Sequence, residues 1–242
     1  MTTPWVHLYM PALPYGTVVL TSTGVDSVLG AAAHPAAPCV MVDYGQPYVE
    51  QERQVARRLF GERLEVVTVS PLGPQVGEGG GFIPNRNLLF ACLAAQRGDR
   101  IILGAMADDY SPDKTPEALV AMGQVLTLFG ERPVTVETCT PGLMRHEAVA
   151  RYLIRNGDAG RLLRSWSCYG PGPERCLDCR GCFRWGVTMR ANGLDVPLCS
   201  ERVIAAYQAN RDQYPPRRLA AIDAALGDIY RNSPYQWWPK YG

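Results

Sequence analysis

Short runs of apolar residues alternate with longer segments of helical pattern along the first 160 residues. Because these runs are rich in Val, Ile and Leu without a clean polar alternation, both faces of the predicted sheet should be covered. Regular alternation of strands and helices predicts the α/β class, with a doubly wound parallel sheet. The strand-like runs are TVVL, PCVMVDY, LEVVTV, RIILGAM and VTVETC, and a helix follows each, the first beginning near Val25.

Polar segments stand at the end of several of these predicted strands. In parallel sheets, ligands bind beyond the carboxyl ends of the strands, and Asp43, Arg86 and Asp109 all fall there. Each alone reads as an ordinary loop or surface residue, but their coincidence at one edge favours a site. The candidate loops are 22–27, 43–48, 84–87 and 107–114.

The loop after the first strand, in TVVLTSTGVDSVLG, is a candidate anion site. Small residues before a helix let backbone N–H groups and the helix dipole face a phosphate. Asp26 and Ser27 also stand where a helix start is capped, so the same residues fit a plain turn. Neither the three-glycine dinucleotide pattern nor a Walker lysine occurs. The loop resembles the S-G-G-x-D-S loop of the PP-loop ATP pyrophosphatases, with Thr23 in place of the first Gly.

After residue 165 the pattern changes to a cysteine-rich stretch, WSCYGPGPERCLDCRGC, with spacing C-x7-C-x2-C-x2-C. Four thiolates in C-x2-C pairs suit structural zinc. An iron–sulfur cluster is the competitor, but the proline-flanked fourth cysteine of ferredoxins is missing. We expect a PP-loop α/β domain over 1–160. Residues 161–242 are expected to form a zinc-binding cluster with a helical extension packed on it, through Cys168, Cys176, Cys179 and Cys182.

Composition excludes some classes of function. The 242 residues are 47% hydrophobic with a formal net charge of +1, which predicts a sizeable core and makes nucleic acid an unlikely partner. A basic patch over 151–190 fits a solvated face or an anionic ligand as well as RNA. The N-terminus lacks the pattern of a signal peptide and no run approaches a membrane span, so we expect a cytoplasmic protein without membrane contact.

The motifs taken together resemble the 7-cyano-7-deazaguanine synthase (QueC) family over roughly residues 17–190. Besides the loop and the cysteines, DYGQ at 43–46, PNRN at 84–87 and GAMADDYSPD at 104–113 are similar to family segments. The resemblance implies a carbon–nitrogen ligase of queuosine biosynthesis that forms AMP from ATP. It would convert 7-carboxy-7-deazaguanine and ammonia, through an adenylated carboxylate and then an adenylated amide, to 7-cyano-7-deazaguanine.

The resemblance also implies cofactors and site residues. Zinc would be structural, Mg²⁺ would accompany ATP, and a homodimer is common in the family. Asp26, Ser27 and Arg86 would be catalytic, Arg86 by binding a carboxylate or phosphate, and Asp109 or Asp113 would accept from the guanine-like N–H edge. The ATP loop would comprise Leu20, Thr21, Ser22, Thr23, Gly24, Val25, Asp26 and Ser27, and the substrate site Tyr44, Gln46, Arg86, Asn87, Asp109 and Asp113.

Three departures from the family pattern keep other functions open. Thr23 replaces a glycine, residues 111–115 read Ser-Pro-Asp-Lys-Thr without the family's arginine, and the tail from about residue 212 has no counterpart. An amide ligase would hand the adenylated carboxylate to an amine on another molecule or protein. A PP-loop enzyme that modifies tRNA and a zinc module without activity are the remaining alternatives.

Overall fold

A computed structural model describes residues 16–69, 83–109, 111–170 and 172–232. A glycine-rich segment at 71–82 and the aromatic segment from residue 233 lie outside these ranges. Along the part of the chain that is described, no helix has both the length and the apolar character needed to cross a bilayer.

Five parallel strands form the central sheet, as the apolar runs predict. Their order is β3-β2-β1-β4-β5, so the chain reverses direction across the sheet between β1 and β4, where such sheets bind ligands. β4 and β5 end sooner than the apolar runs suggest, and beyond β4 the chain passes close to Asp26 at Gly104. A Cβ there would lie 2.8 Å from the Asp26 Cβ, so this close passage requires glycine. The strands are β1 Thr17–Thr21, β2 Cys39–Asp43, β3 Leu64–Thr68, β4 Arg100–Ile102 and β5 Thr135–Glu137.

Helices cover both faces of the sheet. Alternate strand residues divide between the faces: Val18 and Val40 pack toward α3 and α4, whereas Val19 and Met41 pack toward α1 and α2. This confirms the doubly wound architecture inferred from apolar strands. The helices are α1 Val25–Ala33, α2 Val49–Phe60, α3 Arg86–Ala95 and α4 Pro116–Gly130.

Helices α5, α6 and α7 form a further layer outside α1, and α8 and α9 pack on α7. Val28 of α1 packs in one hydrophobic cluster with Val149 of α5, Leu162 of α6 and Trp185 of α7. The predicted boundary after residue 160 falls inside α6, directly after its first residue, and the division into two domains stays a prediction. The elements are α5 Arg145–Asn156, α6 Gly160–Arg164, α7 Arg180–Arg190, α8 Glu201–Ala209 and α9 Pro216–Asn232.

Candidate active site and cysteine cluster

The loop between β1 and α1 is closed by its own hydroxyl groups. The backbone N–H of Ser22 donates to Ser27 Oγ at 2.8 Å, and the N–H of Gly24 donates to Ser22 Oγ at 3.3 Å. Helix α1 starts after Gly24 without a side-chain cap, and Ser22 is exposed. The loop therefore presents a helix N-terminus and small residues at the carboxyl end of β1, the arrangement that suits an anion.

Thr23, which replaces a family glycine, turns its side chain into the protein. It is fully buried, and its hydroxyl donates to the carbonyl oxygen of Trp166 at 2.9 Å. The N–H of Trp166 in turn donates to the carbonyl oxygen of Thr23 at 2.6 Å. The threonine thus ties the loop to the segment that leads into the cysteines.

A buried arginine that the sequence analysis missed holds three carboxylates at this edge of the sheet. Arg145 donates to Asp26 through Nε at 2.8 Å and Nη2 at 2.9 Å, to Asp108 Oδ2 at 3.1 Å and to Asp109 Oδ1 at 2.9 Å. We call Asp26, Asp108, Asp109 and Arg145 the Arg145 cluster. It joins the phosphate-loop candidate, the chain after β4 and the start of α5.

Charge pairing outweighs burial in setting the pKa values of Asp109 and Arg145. Burial acts to raise the pKa of Asp109, but the charges of Arg145 and then Lys114 outweigh it and hold the pKa well below its usual range. Burial likewise acts to lower the pKa of Arg145, and the carboxylates of Asp26 and Asp109 raise it well above the ordinary value. Asp109 and Arg145 are therefore both charged near neutral pH.

Nothing in the helical pattern RHEAVARYLIRNG distinguishes Arg145 from a surface arginine. Its partners lie 119, 37 and 36 positions away along the chain, so only the fold brings them together. The one available signal is its place at the start of the helix after β5, at the same carboxyl edge as the acidic pair Asp108 and Asp109.

The residues named for substrate binding fall into separate contact groups. Arg86 donates to the Tyr44 hydroxyl at 3.3 Å, and its guanidinium carbon lies 5.6 Å from the centre of the Tyr44 ring. Asn87 donates to Asp113 Oδ2 at 2.9 Å, whereas Asp109 belongs to the Arg145 cluster. All lie along the carboxyl edge of the sheet.

Gln46 is buried, and both ends of its carboxamide are engaged. Its Oε1 accepts from the N–H of Tyr44 at 3.0 Å, and its Nε2 donates to Glu52 Oε2 at 2.8 Å. Burial raises the pKa of Glu52 to about 7, with Gln46 and Arg86 opposing and Asp43 adding to the shift. Glu52, which the sequence analysis also missed, is therefore a titrating carboxyl group beside three of the named substrate residues.

The four predicted cysteines converge. The sulfur atoms of Cys168, Cys176, Cys179 and Cys182 all lie within 4.8 Å of one another, and those of Cys176 and Cys182 are 3.9 Å apart. Tetrahedral zinc with Zn–S bonds of about 2.3 Å requires sulfur separations of about 3.8 Å. The cluster could therefore hold a metal ion.

Backbone N–H groups support these sulfur atoms. Cys168 Sγ accepts from Gly170 at 3.2 Å and from Cys176 at 3.3 Å, and Cys179 Sγ accepts from Cys182 at 3.4 Å, at the start of α7. Such donors stabilise thiolates, as does a helix N-terminus. The surroundings fit a set of charged sulfur ligands.

The cysteine cluster adjoins the substrate residues. The ring centres of Tyr169 and Tyr48 lie 5.5 Å apart, and the Tyr169 hydroxyl accepts from Arg184 at 2.8 Å. A Cβ at Gly181 would lie 1.8 Å from the carbonyl oxygen of Ser167, so only glycine allows this packing of α7. The segment after Trp166 therefore forms a wall beside the 44–48 loop.

The sheet order, the β1–α1 loop and the carboxyl-edge residues define an α/β protein of the PP-loop type. Within that class, residues 77–195 match the family model of the queuosine biosynthesis protein QueC. The chain belongs to the QueC family, whose curated relatives carry the name 7-cyano-7-deazaguanine synthase.

Two relatives show how far the similarity extends. The 7-cyano-7-deazaguanine synthase of Synechococcus elongatus (strain ATCC 33912 / PCC 7942 / FACHB-805) is 32% identical, with 68% of this chain and 86% of the relative covered. That of Pelotomaculum thermopropionicum is 26% identical, with 74% of this chain and 99% of the relative covered. The similarity therefore extends over most of the length of each relative.

Proposed function

We propose that this protein converts 7-carboxy-7-deazaguanine to 7-cyano-7-deazaguanine in two ATP-dependent steps. The observation that carries the proposal is the β1–α1 loop of a QueC-family chain. Ser22 of this loop is exposed, while Arg145 binds Asp26 and Trp166 binds Thr23. The names of its relatives support the same substrate and product.

The chemistry follows from the poor reactivity of a carboxylate. Attack of its oxygen on the α-phosphorus of ATP expels pyrophosphate, and ammonia then displaces AMP to give the amide. The amide oxygen attacks a second ATP in the same way, and loss of AMP and a proton leaves the nitrile. Each turnover thus consumes two ATP and one ammonia, and both carboxylate oxygens leave on AMP.

Named groups of this chain would bind and orient the reactants. Backbone N–H groups of the β1–α1 loop would bind phosphate oxygens, where a helix N-terminus favours negative charge. Arg145 fixes the position of Asp26 beside that loop, and Arg86 would contact the substrate carboxylate or the AMP phosphate. Mg²⁺ bound with ATP would neutralise charge on the departing pyrophosphate.

The cysteine cluster would hold structural zinc. Four sulfur ligands within tetrahedral range leave no position for water, which is typical of structural rather than catalytic zinc. Since the cluster adjoins Tyr169 and Trp166, the metal would fix the wall beside the substrate residues. Elemental analysis that finds stoichiometric zinc would support this assignment, whereas visible iron–sulfur absorption would overturn it.

An isotope experiment tests the reaction directly. The protein is incubated with ATP, ammonia and 7-carboxy-7-deazaguanine carrying ¹⁸O in both carboxylate positions. Mass spectrometry should find unlabelled nitrile and two AMP molecules, each with one ¹⁸O. Labelled amide as the final product would remove the second step, and an adduct with an added primary amine would favour the ligase alternative.

Replacing Asp26 by Ala checks that the activity belongs to this site. We expect a loss of labelled AMP of about 100-fold or more, because positioned groups at the reacting phosphates typically contribute that much. Glu50→Ala, which changes an exposed carboxylate of α2, is the control. Full activity in Asp26→Ala, with the fold retained by circular dichroism, would show that the loop is only a turn.

A further inference from the structure

We propose that Glu52 is the specificity residue that accepts hydrogen bonds from the guanine-like N–H edge of the substrate. The inference rests on the proposed function, since it concerns the same substrate site. Substrate recognition would then lie beside the 44–48 loop, away from the Arg145 cluster.

Asp109 and Asp113, the other acidic candidates for this task, already accept internal hydrogen bonds. Asp109 accepts from Arg145 through Oδ1, and from Lys114 at 3.2 Å and the Met106 N–H at 3.1 Å through Oδ2. Asp113 accepts from Asn87 through Oδ2 and from Ser111 through Oδ1. Each oxygen of both carboxylates thus already has an internal partner, and neither carboxylate offers a ring an oxygen without one.

Glu52 is held on one side only. Its Oε2 accepts from Gln46, and among the described residues no hydrogen bond to its Oε1 is present. The engagement of Gln46 with the Tyr44 backbone fixes the direction of the carboxylate at the first turn of α2. One oriented oxygen is thus available for a donor, and Oε2 retains a further lone pair.

Flat groups surround this carboxylate. Tyr44 carries Arg86 against its ring, and Tyr48 packs against Tyr169 from the cysteine-rich wall. Aromatic rings and a guanidinium plane are the surfaces on which a heterocycle stacks. A deazaguanine presents adjacent donors at N1 and the 2-amino group, which match the two oxygens of one carboxylate.

The charges that face Glu52 predict a proton linkage. Asp43, Tyr44 and Tyr48 surround it with Arg86 and Gln46, and burial places its pKa at about 7. Two ring donors favour the ionised form. Binding near pH 7 should therefore release a proton from Glu52, and affinity should rise as the pH increases through 7.

Calorimetry tests both recognition and linkage. Wild type, Glu52→Gln and Glu50→Gln are titrated with 7-carboxy-7-deazaguanine and with its analogue lacking the 2-amino group, in buffers of different ionisation enthalpy. Wild type and Glu50→Gln should prefer the full substrate by about 10- to 100-fold, the value of one hydrogen bond to a charged group. Glu52→Gln should lose most of this preference and the proton release, while melting and ATP binding stay unchanged.

The outcomes separate this inference from the proposed function. One outcome is that wild type binds the substrate while Glu52→Gln keeps both the preference for the 2-amino group and the proton release. In that case Glu52 does not recognise the N–H edge, although the proposed function stands. If wild type binds neither ring compound, with or without ATP, the proposed substrate fails and Glu52 loses its role with it. Unchanged binding in Glu50→Gln excludes a general effect of charge on α2.

Discussion

The cysteine cluster and the Arg145 cluster differ in the cation that compensates their closely spaced acidic groups. Each gathers several acidic groups at close range, four thiols in one and three carboxylates in the other. The carboxylates surround a cation that the chain itself supplies. Four thiolates would repel one another, and their donor chemistry fits a cation taken from solution. The stability of the cysteine cluster should therefore depend on bound metal, whereas the Arg145 cluster should form on folding alone.

Removing the metal should have the largest effect on the molecule. A structural zinc contributes about 10 kcal/mol or more of binding free energy, which is lost when a chelator takes the ion. We expect a strong chelator, or Cys182→Ser, to lower the melting temperature and unfold α7 with its neighbours. Cys92→Ser, which changes a thiol outside the cluster, is the control. Identical melting curves with and without chelator would contradict the dependence on metal.

These two clusters also differ in how far the sequence reveals them. All four cysteines lie within fifteen positions, and thiol spacing alone indicates metal chemistry. Arg145 lies far along the chain from its partners, and an arginine in a helical pattern carries no sign of burial. Sequence therefore predicts groups whose chemistry is local, whereas a site assembled across strands requires the fold.

The same reasoning accounts for the other results. Apolar runs predict the five parallel strands and their helices, because burial on both faces leaves a compositional pattern. They do not show where β4 ends, since the close passage of Gly104 over Asp26 depends on tertiary packing. The internal partners of Asp109 and Asp113, and the hydrogen bond between Gln46 and Glu52, are equally invisible in the sequence.

Replacing Arg145 tests the cluster that carries its own cation. In Arg145→Met the carboxylates of Asp26, Asp108 and Asp109 remain partly buried without their guanidinium, and such a loss costs about 3–5 kcal/mol. Urea unfolding should show this decrease, while Arg151→Met, an exposed arginine of the same helix, should change little. A decrease below about 1 kcal/mol would mean that the carboxylates find other partners.

Acidification should reduce the difference in unfolding free energy between wild type and Arg145→Met. The pKa of Asp109 is lowered from 3.8 in the wild-type fold, so below about pH 4 the unfolded chain binds more protons than the folded one. Its contribution to stability is thus present above that pH and lost as the pH falls. In the variant, crowded carboxylates instead have raised pKa values and gain stability on protonation.

Unfolding free energies of both proteins at pH 7 and at pH 2.5 measure this convergence, because the Asp109 contribution is lost only below about pH 4. Loss of metal from the cysteines at low pH affects both proteins alike and cancels in the difference between them. If the difference in unfolding free energy stays constant over this pH range, Arg145 does not hold Asp109 in its ionised form.

The smallest expected effect belongs to Thr23→Gly, which restores the residue of the family loop. The variant loses the hydrogen bond from the threonine hydroxyl to Trp166 and gains the flexibility of glycine, which together cost about 1–2 kcal/mol. Because the threonine side chain is fully buried against Trp166, the space available to phosphate should not change. We therefore expect a modest fall in unfolding free energy and a KM for ATP within about threefold of wild type, less than 1 kcal/mol. Thr23→Ser, which keeps the hydroxyl, should retain most of the stability. A tenfold lower KM for ATP in the glycine variant would instead show that this threonine restricts the phosphate loop, and that the contact between loop and cysteine-rich wall is made at the expense of nucleotide binding.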